Sequence, residues 1–173
     1  YATSIEAAAP LAGDGFSKIR ATTPTSFYTS PGQARFVWDV LRRLGFNGGA
    51  VLEPGCGHGV FYGSRPTGDG EPPIEMTGVD MDPSSIGVAK ILYPNQRWVE
   101  SALENVRLDD GTFDAVVGNV PFSEVAPYDR TYNRDRHNLH NYMILRALHA
   151  VKPGGLVAVF TTRYTLDSTR PAA

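Results

Sequence analysis

The chain contains a single cysteine, Cys56, among 173 residues. One thiol permits neither an internal disulfide framework nor a cysteine zinc cluster, and this usage fits a reducing cytoplasm. Long apolar runs are also lacking. No stretch approaches the ~18 residues of a transmembrane helix, so no membrane span is expected. An excess of one charge is missing as well: 16 Lys and Arg face 18 Asp and Glu, for a formal charge of -2. That balance excludes a broad basic field, so any affinity for nucleic acid must be local or supplied elsewhere. There is no initiating Met and no basic segment leading into an apolar leader, so Tyr1 reads as a cut or processing boundary. Residues 167–173 follow directly on a strand-like run, which reads as a cut inside a longer polypeptide.

What is present is 42% apolar residues, enough for one domain with a real core. Residues 1–26, rich in Ala, Gly, Ser, Thr and Pro, are expected to form a flexible N-terminal arm, with the folded core over 27–173. Phe36, Val37, Val40, Leu41 and Leu44 recur at helical spacing before Gly45, predicting an amphipathic helix. Strands are predicted at Ala50–Glu53, Glu75–Asp80, Arg97–Glu100, Phe113–Asn119 and Leu156–Thr162. A short helix or turn is expected near Val60–Gly63. Another helix should hold Ile86, Ala89, Ile91 and Leu92 after Pro83, and a third should run over Asn141–Val151. The segment from Ser123 to Asn138 reads as a long polar loop. Alternation of strands and helices predicts an α/β fold with a doubly wound, mostly parallel sheet, ending here after its fifth strand.

Three segments carry chemistry. In Glu53-Pro54-Gly55-Cys56-Gly57-His58-Gly59, three glycines at alternate positions follow a strand, so the backbone can turn sharply and a ligand can lie against it. Asp80, about 25 residues further on at the end of the next strand, can accept hydrogen bonds from two ribose hydroxyls, which points to a nucleoside. The glycines fall as G-x-G-x-G, not the G-x-G-x-x-G of dinucleotide loops. Asn119-Val120-Pro121-Phe122 closes the fourth strand at the same edge of the sheet. Asp82 reads as a helix cap before Pro83. Cys56 reads as a small buried residue, and His58 as a loop substituent. His137 and His140 have no ligand set beside them, so no metal site is predicted. Arg130, Arg134 and Arg136 are candidates either for phosphate contact or for solvated surface.

These segments resemble the motifs of class I S-adenosylmethionine-dependent methyltransferases with a Rossmann-like core. The resemblance implies that Glu53 faces the methionine amino group and that Pro54, Gly55, Gly57 and Gly59 form the cradle. Asp80 then holds the ribose, Met81 flanks the adenine, and Ala102 and Leu103 cap its edge. Asn119-Val120-Pro121-Phe122 resembles the N-P-P-Y/F motif of amino-methyltransferases, with Val120 in place of the first proline. It implies that the Asn119 side chain and the Val120 carbonyl grip an exocyclic amine, Pro121 stiffens the turn and Phe122 stacks on the base. Phe27-Tyr28-Thr29-Ser30-Pro31 resembles motif X, which in the gamma order precedes the glycine loop and packs against the methionine end of the cofactor through Tyr28, Thr29 and Ser30. The strings Y-T-S-P, V-L-E-P-G and G-N-V-P-F, then Thr162-Arg163-Tyr164-Thr165, resemble the methylase domains of large plasmid and phage helicase-methylase polypeptides.

The implied activity is methyl transfer from S-adenosylmethionine to adenine N6 in DNA, with a helicase or target-recognition region in the same polypeptide and a role in restriction and modification. RNA adenine, a protein glutamine, or a non-catalytic cofactor-binding scaffold in a helicase or antirestriction protein are the alternative readings.

Overall fold

The computed structural model describes residues 29–163 and residue 165. The expected arm and Tyr28 lie outside the described residues. Ser30 starts helix α1, Pro31–Arg43: its hydroxyl accepts from Gln33 N while Gln33 Oε1 accepts from Ser30 N, a reciprocal cap that satisfies two donors at the helix start. The chain continues through β1 (Gly49–Pro54), the short α2 (Val60–Gly63), β2 (Ile74–Asp80), α3 (Pro83–Leu92) and β3 (Arg97–Glu100). A 3-10 turn at Leu103–Asn105, β4 (Phe113–Asn119), α4 (Leu139–Ala150) and β5 (Val151–Phe160) complete it.

The five strands form one parallel sheet in the order β3-β2-β1-β4-β5. Successive strand residues point to opposite faces, and both faces are covered. Val51, Met76, Ala115 and Val117 pack with Trp38 and Leu41 of α1 and Ile86 and Ala89 of α3. Leu52, Val79 and Val116 pack on the other side with Tyr142, Met143 and Ala147 of α4. The expected α/β doubly wound sheet is present, and every pairing in it is parallel.

Two expectations need correction. Phe36 and Leu44 share the spacing of the α1 stripe but are 61% and 64% exposed; the buried face is Ala34, Val37, Trp38 and Leu41. A large indole at Trp38, whose Nε1 donates to Phe61 O (2.8 Å), sets which way the helix turns inward. β5 begins at Val151, not Leu156, because Val151 pairs with Phe113 before the register jumps to Leu156 opposite Ala115. The intervening excursion is pinned by Lys152 Nζ on Asp114 Oδ1 (2.7 Å).

Candidate functional site

β1 lies at the centre of the sheet, with β2 and β3 on one side and β4 and β5 on the other. Strand order therefore reverses between β1 and β4, and ligands in such sheets bind outside the carboxyl ends of the strands at that reversal. The glycine loop, Asp80, Ser101–Leu103 and Asn119 all leave strands at this edge. The carboxyl ends of β1 and β4, carrying Glu53 and Asn119, belong to neighbouring strands.

Glu53 is 2% exposed, and its Oε2 has no hydrogen-bond partner. Burial, reinforced by the nearby Asp80 carboxylate, pushes its pKa well above the usual range. A buried acid left with an orphan oxygen is costly in a purely structural role. It fits a cation or ammonium donor arriving from outside.

The glycine loop is hung from β2. Gly55 N (2.8 Å) and Cys56 N (3.1 Å) both donate to Val79 O, and Gly57 N donates to Asp80 Oδ2 (2.8 Å). Gly55, Gly57 and Gly59 all have positive φ, at 72°, 50° and 76°. They differ in what surrounds them. A side chain at Gly57 would enter open space, whereas one at Gly59 would strike the Trp98 ring at 2.7 Å. Gly57 therefore leaves room for a ligand, while Gly59 is demanded by packing as well as by its backbone.

Asp80 also accepts from Asp82 N at Oδ1 (2.9 Å), which fixes the carboxylate; two oxygens with about four lone-pair sites still leave capacity for hydroxyl donors. Met81 is 74% exposed beside it. Ala102 is half-buried, and Leu103 is buried in the core cluster that holds Val79 and Tyr142. Asp82 is the expected cap of α3, accepting from Ser84 N and Ser85 N. Cys56 is buried, and burial together with Glu53 and Asp80 raises its thiol well above the usual range, so it stays protonated. His58 is buried and its pKa is lowered, burial being the main cause. Thr29 is buried, and Ser30 serves as the α1 cap.

Val120 is 1% exposed and donates from its backbone N to Phe160 O (3.1 Å). A proline at that position could not make this bond. Anchoring in the core and the bond to β5 thus supply stiffness where the related motif has its first proline ring. Asn119 is half-buried, Pro121 is exposed and Phe122 is 46% exposed.

The residues that sequence reasoning missed lie in and behind the loop after Phe122, with Arg146 on α4. Asp129, Asn133 and Arg146 brace it from within. The Arg146 guanidinium, 2% exposed, stacks 3.8 Å from the Tyr132 ring centroid. In the sequence, Tyr132-Asn133-Arg134 and Leu139-His140-Asn141-Tyr142, which resemble the segment after N-V-P-F in helicase-methylase polypeptides, point to this loop without showing how it is braced. A depression of about 270 Å³ lies at the opposite edge of the sheet, beside Asp114 and Lys152. Its charged groups already bind each other, so it does not compete as the reactive site. Among the described residues there is no cluster of three or more metal-ligating side chains and no helix long and apolar enough to cross a membrane.

The methyltransferase domain family matches residues 51–155. The chain is 32% identical over 142 residues to the Defense against restriction protein B of Escherichia phage P1, covering 78% of this chain and 6% of that protein. It is 27% identical over 123 residues to the Type I restriction enzyme MjaIX methylase subunit of Methanocaldococcus jannaschii, covering 63% of this chain and 21% of that one. The chain thus spans a small part of the curated relatives it matches. A Listeria monocytogenes protein assigned to the class I S-adenosylmethionine-dependent methyltransferases superposes with a TM-score of 0.61 at 16% identity, over 80% of this chain and 46% of that one. The family match, the parallel sheet and a buried acid beside an open glycine loop agree, and the chain belongs to the class I S-adenosylmethionine-dependent methyltransferase domain family.

Proposed function

We propose that this domain transfers a methyl group to the N6 amine of adenine in DNA. The observation that carries the reading is the adjacency of β1 and β4, which brings the end of Asn119-Val120-Pro121-Phe122 beside the Glu53 loop at the reversal of strand order. Both relatives are named for restriction or defence against it, in keeping with DNA as the substrate.

S-adenosylmethionine supplies a methyl group on a positively charged sulfur. Glu53 would take its ammonium, the open face at Gly57 its methionine backbone, Asp80 its ribose hydroxyls and Met81 its adenine. An exocyclic adenine amine is a poor nucleophile, since its lone pair is drawn into the ring. The Asn119 side-chain oxygen and the Val120 carbonyl each accept one N–H from that amine, which turns the lone pair out of the ring plane. Core anchoring of Val120 keeps the two acceptors fixed. Phe122 stacks on the base, and Pro121 holds the turn rigid. Catalysis would then rest mainly on positioning, since no base with a shifted pKa is needed before transfer: the sulfur–methyl bond would break as the nitrogen–methyl bond forms, the sulfur would leave as a neutral thioether, and the surplus proton on N6 would pass to solvent.

The test is transfer of labelled methyl to mixed-sequence duplex DNA, with RNA and a glutamine peptide as competing acceptors. Label on adenine that falls at least ~100-fold in Asn119→Ala, with cofactor binding kept, is the expected result. Label on RNA or peptide instead would move the substrate, and cofactor binding without any transfer would make the domain a scaffold.

A further inference from the structure

The loop between β4 and α4 exposes large apolar side chains at every third position: Phe122 at 46%, Val125 at 66% and Tyr128 at 71%. Three large exposed apolar side chains gathered in one loop mark a candidate interaction segment. The segment runs on from the tetrapeptide in the chain and is not slack. Directly behind Tyr128, Asp129 Oδ1 accepts from Thr131 N (2.9 Å) and Tyr132 N (3.0 Å), and its Oδ2 accepts from Tyr142 Oη (2.8 Å). Asn133, 4% exposed, donates to Pro127 O (2.8 Å) and His137 O (3.0 Å) and accepts from His137 N (2.8 Å).

The same loop exposes Arg130, Arg134 and Arg136, with Arg136 held at a φ of 56°. Asp129 is engaged internally, and Asp135 sits 3.9 Å from His137. The loop that leaves the tetrapeptide thus exposes an aromatic ring and three guanidinium groups, of which Arg134 also donates from Nε to Arg130 O (3.0 Å). That composition suits nucleic acid: rings stack on bases and guanidinium groups meet phosphates.

We infer that Tyr128, flanked by Val125, is a wedge that enters the base stack of duplex DNA and fills the gap left when the target adenine swings out. The inference rests on the adenine reading above and deepens it, because it makes the duplex, not a single strand, the preferred substrate. Extrusion leaves two base faces unstacked, and a planar ring on a braced loop replaces part of that lost stacking. A single strand has no such gap, so its methylation does not need Tyr128. Tyr128 is a positioning residue, distinct from the groups that grip the amine.

The test compares kcat/KM of the full-length protein on a duplex and on the matching single strand, for wild type, Tyr128→Ala, Tyr128→Trp and Asn119→Ala. A duplex with 2-aminopurine at the target reports extrusion through its fluorescence. Tyr128→Ala is expected to lower kcat/KM on the duplex about tenfold or more, to suppress the fluorescence rise, and to leave the single strand within about twofold. Tyr128→Trp restores both. Equal loss on the two substrates, or none on the duplex, overturns the wedge while the Asn119→Ala control still upholds the adenine reading. Transfer to neither DNA form by the wild type overturns both. If Tyr128→Ala instead splits a dimer in sedimentation, the patch belongs to a second copy of the chain and the wedge is overturned.

Discussion

In the proposed reading, Glu53 trades stability for binding. Its carboxyl has a folded-state pKa above the unfolded value, so between those two values the native state holds more protons than the unfolded state. The stability it allows is complete below the ordinary carboxylate range and is lost as pH rises through the folded pKa. Glu53→Gln removes that loss. The cofactor-free variant should melt at or above the wild type at pH 8, and its melting temperature should depend less on pH between 5 and 8. Its affinity for S-adenosylmethionine should fall about 10- to 100-fold, the worth of a charged hydrogen bond. Melting curves and titration calorimetry check both arms; lower stability with unchanged affinity would sink the assignment. The spacing of Glu53 and the glycines was legible in the sequence because it follows from local chain geometry. The division of labour between Gly57 and Gly59 was not, because the ring that excludes a side chain at Gly59 comes from Trp98, on a strand that only folding brings close.

Among the elements, β2, β3, β4 and α2 fall within one residue of their predicted bounds, since continuous apolar runs and Gly or Pro breaks mark them. The β5 register jump and the inward turn of α1 depend on partners far along the chain, and local periodicity does not encode them. The loop before α4 reads as polar in the sequence, yet its polar side chains bond mostly to the loop's own backbone. Asp129 is its keystone. Desolvation raises its pKa, but the hydrogen bonds from Tyr132 N, Tyr142 Oη and Thr131 N outweigh that effect and hold it below the usual value. Its contribution is therefore present above the ordinary carboxylate range and lost as pH falls through the folded pKa. Asp129→Ala should speed amide exchange over residues 131–137 about tenfold, leaving β1 and β2 protected, and acidification should loosen the same amides in the wild type. Exchange followed by mass spectrometry reads both, and uniform loosening of the sheet would mean that Asp129 supports the whole fold instead.

For the whole molecule, net charge limits the proposed hold on DNA. With a formal charge of -2 and three arginines on the loop, about three phosphate contacts are available, so log affinity should fall with log salt at a slope near -2.7 or shallower. A salt titration of duplex binding measures it, and a slope near about -6 would place most of the footprint elsewhere on the protein. The family and the order of motifs were legible from the sequence, whereas the packing that joins them emerges only at this scale. Trp98 gathers four elements. It stands on β3, donates from Nε1 to Tyr93 O (2.9 Å) at the end of α3, and faces Gly78 of β2 and Gly59 at the start of α2. The other indole, Trp38, is 1% exposed within α1. The domain therefore carries a native optical probe beneath its glycine loop: in a Trp38→Phe background, all remaining tryptophan emission comes from Trp98 under that loop, and occupancy of the proposed site can be followed by light without any attached dye.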